Sequence, residues 1–276
     1  MDGQFTFPAW ASDDFETALG LAGIWLVWRL ALSPAARARR DQERLPEWPI
    51  RWLDFGLLIW GAFLAANVCA TLVARAVGAP PAGGDDGWRL MVIQAAAQLA
   101  MIAWCLGFRK MAPSGRGFAP AIRPKAALAG GAATFLIAVA LVGAVGLVWP
   151  IMLQSVGLPP EAQDTVEYFA AIKSPLVRVL FVLFATVGAP VAEELVFRGG
   201  LFHFCRSRLP RWAALWLPAC LFAALHGSLT AYAPLAVLGV LLSLAYERTG
   251  NLAVPMVAHS LFNLHTLAIV FIFGGG

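Results

Sequence analysis

Two adjacent carboxylates and an arginine interrupt a long apolar stretch of this sequence. They are Glu193, Glu194 and Arg198, and the apolar run that contains them begins near Leu176. Charged side chains are costly inside a bilayer, and those that occur there are usually functional. On a helix, Glu194 and Arg198 lie on one face at i, i+4 and can pair, whereas Glu193 points about 100° away. The spacing therefore predicts one carboxylate that Arg198 neutralises and one carboxylate that stays free.

Two histidines lie deep inside later apolar runs, each with a partner four residues away. Phe222 precedes His226 at this spacing, and Asn263 follows His259. The spacing directs both members of a pair to the same helix face. Helical rise places Glu193, His226 and His259 at ~20, ~22 and ~16 Å from the basic residues at the ends of their runs. Three helices would thus bring ionisable groups to a similar depth, as a shared site requires.

Each of these residues also has a structural explanation. A single histidine in a membrane helix is more often a hydrogen-bonded packing residue, and asparagine often joins two helices. A structural role for all of them is the weaker interpretation, because they share one depth. For the Glu194–Arg198 pair we favour a structural role, which would fix the helix and set the charge around the neighbouring carboxylate. We interpret two further histidines as non-catalytic. His203 lies near the basic residues at the end of its apolar run, and His265 lies on a different helix face from His259.

The composition is that of a helical membrane protein. Of 276 residues, 60% are hydrophobic and 13% are charged, whereas a soluble domain carries about a quarter of charged residues. The net charge of +4 does not indicate nucleic-acid binding, because the arginines cluster beside apolar runs. The four cysteines stand singly without CxxC spacing, so neither a disulfide framework nor a thiolate zinc site is expected.

Eight apolar runs predict an all-α fold, a polytopic membrane bundle of about eight transmembrane helices. Their approximate limits are 17–32, 52–77, 88–108, 126–153, 176–206, 212–229, 234–246 and 252–273. We expect the fifth run to form one helix, the fourth to be broken late by Pro150, and the short seventh to be a partial span. We divide the chain into an N-terminal part with about four helices, residues 1–170, and a C-terminal core that carries the charged residues and the histidine pairs, residues 171–276.

The loops between the runs are alternately rich and poor in basic residues. The positive-inside rule assigns the basic loops to the cytoplasm, and eight spans then place both termini outside. The N-terminus lacks a basic region before its first apolar run, so we expect no cleavable signal peptide. High Ala, Gly and Arg content suggests a bacterial source and hence an inner membrane. We expect the shared polar site to open towards the cytoplasmic side.

The three motifs resemble those of the CPBP family of intramembrane proteases. This family includes the CAAX prenyl endopeptidases and bacterial bacteriocin-processing or immunity proteins of the Abi type. Its pattern is EExxxR, then FxxxH, then HxxxN, and all three stand here in that order within about residues 176–270. The first four spans carry no motif of this kind.

The resemblance implies hydrolysis of a peptide bond inside or at the edge of the membrane. Glu193 would be the general base that takes a proton from water, and His226 would orient the same water. His259 and Asn263 would donate hydrogen bonds to the oxyanion. The supporting residues would be Glu194, Arg198 and Phe222.

A zinc-dependent version of the same hydrolysis is the nearest alternative. Glu193, His226 and His259 form a ligand set that fits zinc and leaves a position open for water. The base would then be another group such as Glu194, whose pairing with Arg198 makes it less suitable. We therefore favour a water-activating glutamate with no metal cofactor.

Two non-enzymatic functions stay open at this point. Buried acids, histidines and arginine also build proton relays, as in a proton-coupled transporter or channel, although the sequence lacks the inverted repeat of many transporters. A silent scaffold or immunity protein is the other possibility. For the favoured protease, the expected partners are the lipid bilayer and a membrane-embedded or lipidated peptide substrate, whose prenylation the sequence does not decide.

Overall fold

The computed structural model describes residues 9–35, 45–78, 87–112, 117–119, 122–158 and 172–273. Within these ranges the chain is all-helical, as predicted, and forms eight helices. Their limits are Ala9–Val27 for α1, Trp52–Val77 for α2, Gly87–Met111 for α3, Pro124–Ser155 for α4, Pro175–Arg206 for α5, Arg211–Ala224 for α6, Leu229–Thr249 for α7 and Ala253–Phe273 for α8. A π-helical turn, Trp28–Leu32, continues α1.

Seven of the eight helices in the described ranges are long and apolar enough to cross a membrane. The exception is α6, which has 14 residues. The protein is therefore an integral, multi-pass membrane protein. The fourth apolar run is not broken at Pro150, because α4 continues through this proline to Ser155.

The predicted limits of the sixth and seventh runs are wrong. The sixth helix ends at Ala224 rather than near residue 229, and α7 is a full span of 21 residues instead of a partial one. The chain turns at Gly227, where φ is +68°. Ser228 then caps α7, because its side chain accepts a hydrogen bond from the N–H of Ala231 at 3.2 Å. The hydropathy of a run does not show where one helix ends and the next begins, because a single capping residue within an apolar stretch hardly changes it.

Helix α5 forms the buried axis of the bundle. It packs against α2, α3, α6, α7 and α8, while α4 packs against α1, α7 and α8. From Glu194 to Cys205 every residue of α5 except Leu201 is buried. Glycines allow this close packing: a Cβ at Gly200 would lie 3.1 Å from a side-chain atom of Ile59 on α2.

The backbone of α5 is irregular on both sides of the acidic pair. A π-helical turn at Phe184–Gly188 and another at Leu195–Phe202 flank the α-helical segment Ala189–Glu194. Single π turns within α-helices occur frequently at functional sites. The irregular region coincides with the charged residues singled out from the sequence.

One buried carboxylate forms ion pairs that link the ends of three helices. We call this end of the bundle, with its arginines, the basic edge. Glu247 of α7 lies 2.8 Å from Arg206, at the end of α5, and 2.7 Å from Arg211, at the start of α6. The ends of these helices therefore meet at one edge of the bundle, which is the edge used for the depth estimates.

Candidate active site

The Glu194–Arg198 ion pair predicted from the i, i+4 spacing is present. Arg198 Nη1 donates to Glu194 Oε1 at 2.8 Å, and the two side chains are 2% and 0% exposed. Arg198 Nη2 donates to the carbonyl of Gly239 on α7 at 3.1 Å. The guanidinium carbon lies 4.7 Å from the centre of the Phe222 ring on α6. Arg198 thus connects α5 with both neighbouring helices.

His259 lies between the two carboxylates. Its Nδ1 is 2.9 Å from Glu194 Oε1, and its Nε2 is 3.8 Å from Glu193 Oε2. An ionised carboxylate only accepts hydrogen bonds, so Nδ1 carries a hydrogen and donates it. Glu194 Oε1 therefore accepts from both Arg198 and His259, while Glu194 Oε2 has no hydrogen-bond partner among the described residues.

The two glutamates also differ in exposure, which the spacing did not predict. The Glu193 side chain is 28% exposed, and the side chain of Glu194 is fully buried. One carboxylate is thus neutralised inside the bundle, and its neighbour stays accessible beside a histidine. This is the asymmetry that a general base next to a charged support requires.

His226 lies in the turn after α6 and is exposed, not deep inside a helix as the apolar run predicts. Its Nδ1 is 2.7 Å from the carbonyl oxygen of Phe222. A carbonyl only accepts, so Nδ1 donates and Nε2 is left as an acceptor in the neutral ring. In the part of the chain that the structure describes, no hydrogen bond or ion pair joins His226 to Glu193.

Phe222 is the common neighbour of both histidines. Its ring centre lies 4.6 Å from that of His226 and 5.8 Å from that of His259, both in edge-on geometry. Its face meets the guanidinium of Arg198. The i, i+4 pairing of Phe222 and His226 is therefore present, and it extends across helices to the ion pair.

Asn263 follows His259 by one turn on α8, but its amide is bound to α5. Its Nδ2 donates to the carbonyl of Ala185 at 2.8 Å. The side chain is half-buried. One N–H of the amide is thus engaged, and the second N–H is left for another acceptor.

The other two histidines bond to partners outside this cluster. His203 Nε2 is 2.7 Å from the carbonyl of Pro46, and its ring stacks on Trp48. His265 Nε2 is 2.8 Å from Glu16 Oε1, which links α8 to α1. Their interpretation as non-catalytic residues stays a prediction.

The described residues do not form a ready metal site. No group of three or more His, Cys, Asp or Glu side chains within the described ranges is arranged to hold a metal ion. His259 already donates from Nδ1 to Glu194, and His226 from Nδ1 to a backbone carbonyl. Such bonds leave Nε2 of each ring available, as a metal ligand requires. The described side chains nevertheless do not bring Glu193, His226 and His259 together as one ligand group.

Three contacts were not predicted from the sequence. They are the bond from His259 to Glu194, the bond from Arg198 to the Gly239 carbonyl and the bond from Asn263 to the Ala185 carbonyl. Only the bond from Asn263 has a local signal in the sequence. Pro190, shortly before the acidic pair, has no N–H and so cannot donate to a carbonyl earlier in its own helix.

The fold and the site define a polytopic helical membrane protein with a buried ion pair beside an accessible carboxylate and two histidines. Residues 175–265 match the family model described as type II CAAX prenyl endopeptidase Rce1-like. This segment is an Rce1-like domain of the CPBP family, as the motifs predict.

Two curated relatives share part of this chain. An uncharacterized 24.3 kDa protein of Escherichia coli is 32% identical over 139 residues, which cover 48% of this chain and 62% of that protein. Uncharacterized protein YpbD of Bacillus subtilis (strain 168) is 37% identical over 82 residues, 28% of this chain and 39% of YpbD. The chain thus spans less than two thirds of the length of either relative. No solved structure matches.

Proposed function

We propose that this protein is an intramembrane endopeptidase that hydrolyses a peptide bond in a membrane-embedded or lipidated substrate. The observation that carries the proposal is the pairing of an accessible carboxylate, Glu193, with His259, which a buried Glu194–Arg198 pair holds. A buried, compensated ion pair supplies a rigid support. The open carboxylate supplies a base.

Glu193 acts as the general base in this proposal. It takes a proton from water as the water oxygen adds to the substrate carbonyl carbon, which gives a tetrahedral oxyanion. When the C–N bond breaks, the same proton passes to the leaving nitrogen. His226 is suited to orient the water, because its Nδ1 is occupied by a backbone carbonyl and its Nε2 is an acceptor.

His259 and Asn263 stabilise the oxyanion as hydrogen-bond donors. Since Nδ1 of His259 donates to Glu194, donation from Nε2 requires hydrogens on both ring nitrogens. The charge of such an imidazolium is opposite to that of the two carboxylates beside it. Asn263 contributes the N–H that is not bound to the Ala185 carbonyl.

The Glu193→Gln variant tests the role of the base. The change keeps the size of the side chain and removes its ability to take a proton, so cleavage should fall by about 10²–10⁴-fold. The measurement compares N-terminal peptides of the membrane proteome from cells with the wild-type protein, with the variant and without the protein. Peptides that appear only with the wild type identify the substrate.

The matched control is Glu16→Gln, which removes an acid paired with His265 outside the cluster. It should cleave the same substrates as the wild type. Both variants should show the wild-type elution volume and unfolding midpoint in detergent. Undiminished cleavage by Glu193→Gln would contradict the role of this residue.

The metal-free mechanism is proposed against the zinc-dependent alternative. It is supported by the positions of the described side chains, of which no three or more His, Cys, Asp or Glu are arranged to hold a metal ion. Metal analysis of the purified, active protein and treatment with chelators distinguish the two mechanisms. One tightly bound zinc per active chain, lost together with activity, would favour the alternative.

We also propose a bacterial inner membrane location with a site that opens to the cytoplasm. The support is the basic edge that contains Arg206 and Arg211, which the positive-inside rule places in the cytoplasm. The variant Leu209→Cys, at an exposed position of this basic edge, should react with a membrane-impermeant thiol reagent in inverted vesicles. Labelling confined to right-side-out vesicles would contradict this orientation.

A further inference from the structure

Pro190 leaves one backbone carbonyl of α5 without its main-chain donor. In the π-helical turn Phe184–Gly188, the N–H of Ala189 donates to the first carbonyl of the turn, five residues back. The next donor in this register would serve the carbonyl of Ala185. Residue 190 is a proline, which has no N–H. The Ala185 carbonyl therefore needs a partner from elsewhere.

Asn263 of α8 supplies that partner. Its Nδ2 donates to the Ala185 carbonyl at 2.8 Å. Backbone carbonyls at membrane depth are tolerated only when a donor satisfies them, because lipid offers none. The bond thus satisfies the carbonyl and also determines the orientation of the Asn263 amide. This amide stands one helical turn from His259, which contacts both glutamates.

We propose that Pro190 is a positioning residue, which removes one main-chain donor and so creates the acceptor that orients Asn263. The inference rests on the proposed function, in which the second N–H of Asn263 donates to the oxyanion. An amide held by one N–H keeps its plane and the direction of its other N–H. Such preorganisation is what an oxyanion donor needs, because no reorganisation is then required during the reaction.

Unfolding midpoints of four proteins test the positioning without any need for activity. They are the wild type, Pro190→Ala, Asn263→Leu and the double variant, all in one detergent. Leucine matches the branching of asparagine and has no donor, so Asn263→Leu should leave the Ala185 carbonyl unpaired and lower the midpoint by about 2–8 °C. With alanine at position 190, the restored N–H satisfies the carbonyl, and the same change should lower the midpoint by less than half as much. Equal shifts in the two backgrounds would overturn the proposal.

Steady-state kinetics of the same proteins on an identified substrate test the consequence for the reaction. Pro190→Ala should lower kcat about five-fold, the value of one hydrogen bond, with KM changed less than two-fold. The double variant should be no slower than Asn263→Leu alone, because Pro190 acts through Asn263. If Asn263→Leu abolishes turnover and Pro190→Ala leaves kcat unchanged, the positioning role is refuted.

Pro150→Ala is the matched control, since Pro150 also lies inside a membrane helix but on α4. It should leave kcat unchanged and should not alter the effect of Asn263→Leu on the midpoint. An effect of Pro150→Ala equal to that of Pro190→Ala would show a general effect of helix prolines and overturn the proposal. If the wild type hydrolyses no peptide while the midpoints follow the expected pattern, the proposed function fails and the positioning of Asn263 stands.

Discussion

Replacing Arg198 with methionine removes the cation from a fully buried ion pair. Methionine has a similar length and no charge, so the change creates little empty space. It removes the donor at 2.8 Å from Glu194 Oε1 and the donor at 3.1 Å from the Gly239 carbonyl. Glu194 then keeps only the hydrogen bond from His259 Nδ1. Leaving a buried charge without its partner costs about 3–5 kcal/mol.

The reciprocal variant Glu194→Gln leaves Arg198 buried without a carboxylate and should cost a similar amount. In the double variant neither charge is present, and the glutamine oxygen can still accept from His259. The double variant should therefore be only about 1–2 kcal/mol less stable than the wild type, because the Gly239 carbonyl loses one donor but keeps the hydrogen bond from Ser243 Oγ at 2.9 Å. The cost of the two single changes together should exceed that of the double change by several kcal/mol.

Thermal unfolding in one detergent, followed by tryptophan fluorescence, measures these differences. A loss of about 3–5 kcal/mol corresponds to a decrease of about 6–20 °C in the unfolding midpoint. The Arg51–Asp54 pair is the control, because its side chains are 79% and 17% exposed, and Arg51→Met should cost less than about 1 kcal/mol. Additive effects of Arg198→Met and Glu194→Gln would refute the reasoning, because the two charges would then not compensate each other.

Two further predictions concern glycines beside the cluster. A Cβ at Gly188 would lie 2.7 Å from Gln98 Oε1 of α3, the far end of a flexible side chain that can move aside. Gly188→Ala should therefore cost less than about 1 kcal/mol, and adding Gln98→Ala should remove that cost. A Cβ at Gly239 would lie 2.8 Å from a side-chain atom of α6 and 3.4 Å from Arg198 Nη2, so Gly239→Ala should lower both midpoint and cleavage rate. Gly143→Ala, with no atom within 4 Å of the added Cβ, should leave both unchanged, and equal effects at the three glycines would contradict the packing.

The membrane helices and the local pairs could be predicted from the sequence because their causes are local. The thickness of a bilayer sets the length of an apolar run, so eight runs indicated eight helices. The i, i+4 rule paired Glu194 with Arg198, and both the ion pair and its burial are present. The order of the three motifs indicated the family that residues 175–265 match.

The boundary between α6 and α7 was wrong because it depends on single residues rather than on hydropathy. Gly227 provides a left-handed turn and Ser228 provides a cap within one apolar stretch. As a result, His226 lies in an exposed turn and not within a helix. Its distance along the sequence from the basic edge did not show this.

The sequence by itself determined which residue types carry charge inside the membrane and which of them share a helix face. Only the tertiary structure decided that His259 bonds to Glu194 and that Asn263 bonds to the carbonyl of Ala185. Periodicity describes one helix at a time, whereas these bonds depend on the rotation and depth of α8 relative to α5. That arrangement results from the packing of all eight described helices, and no spacing within one of them encodes it.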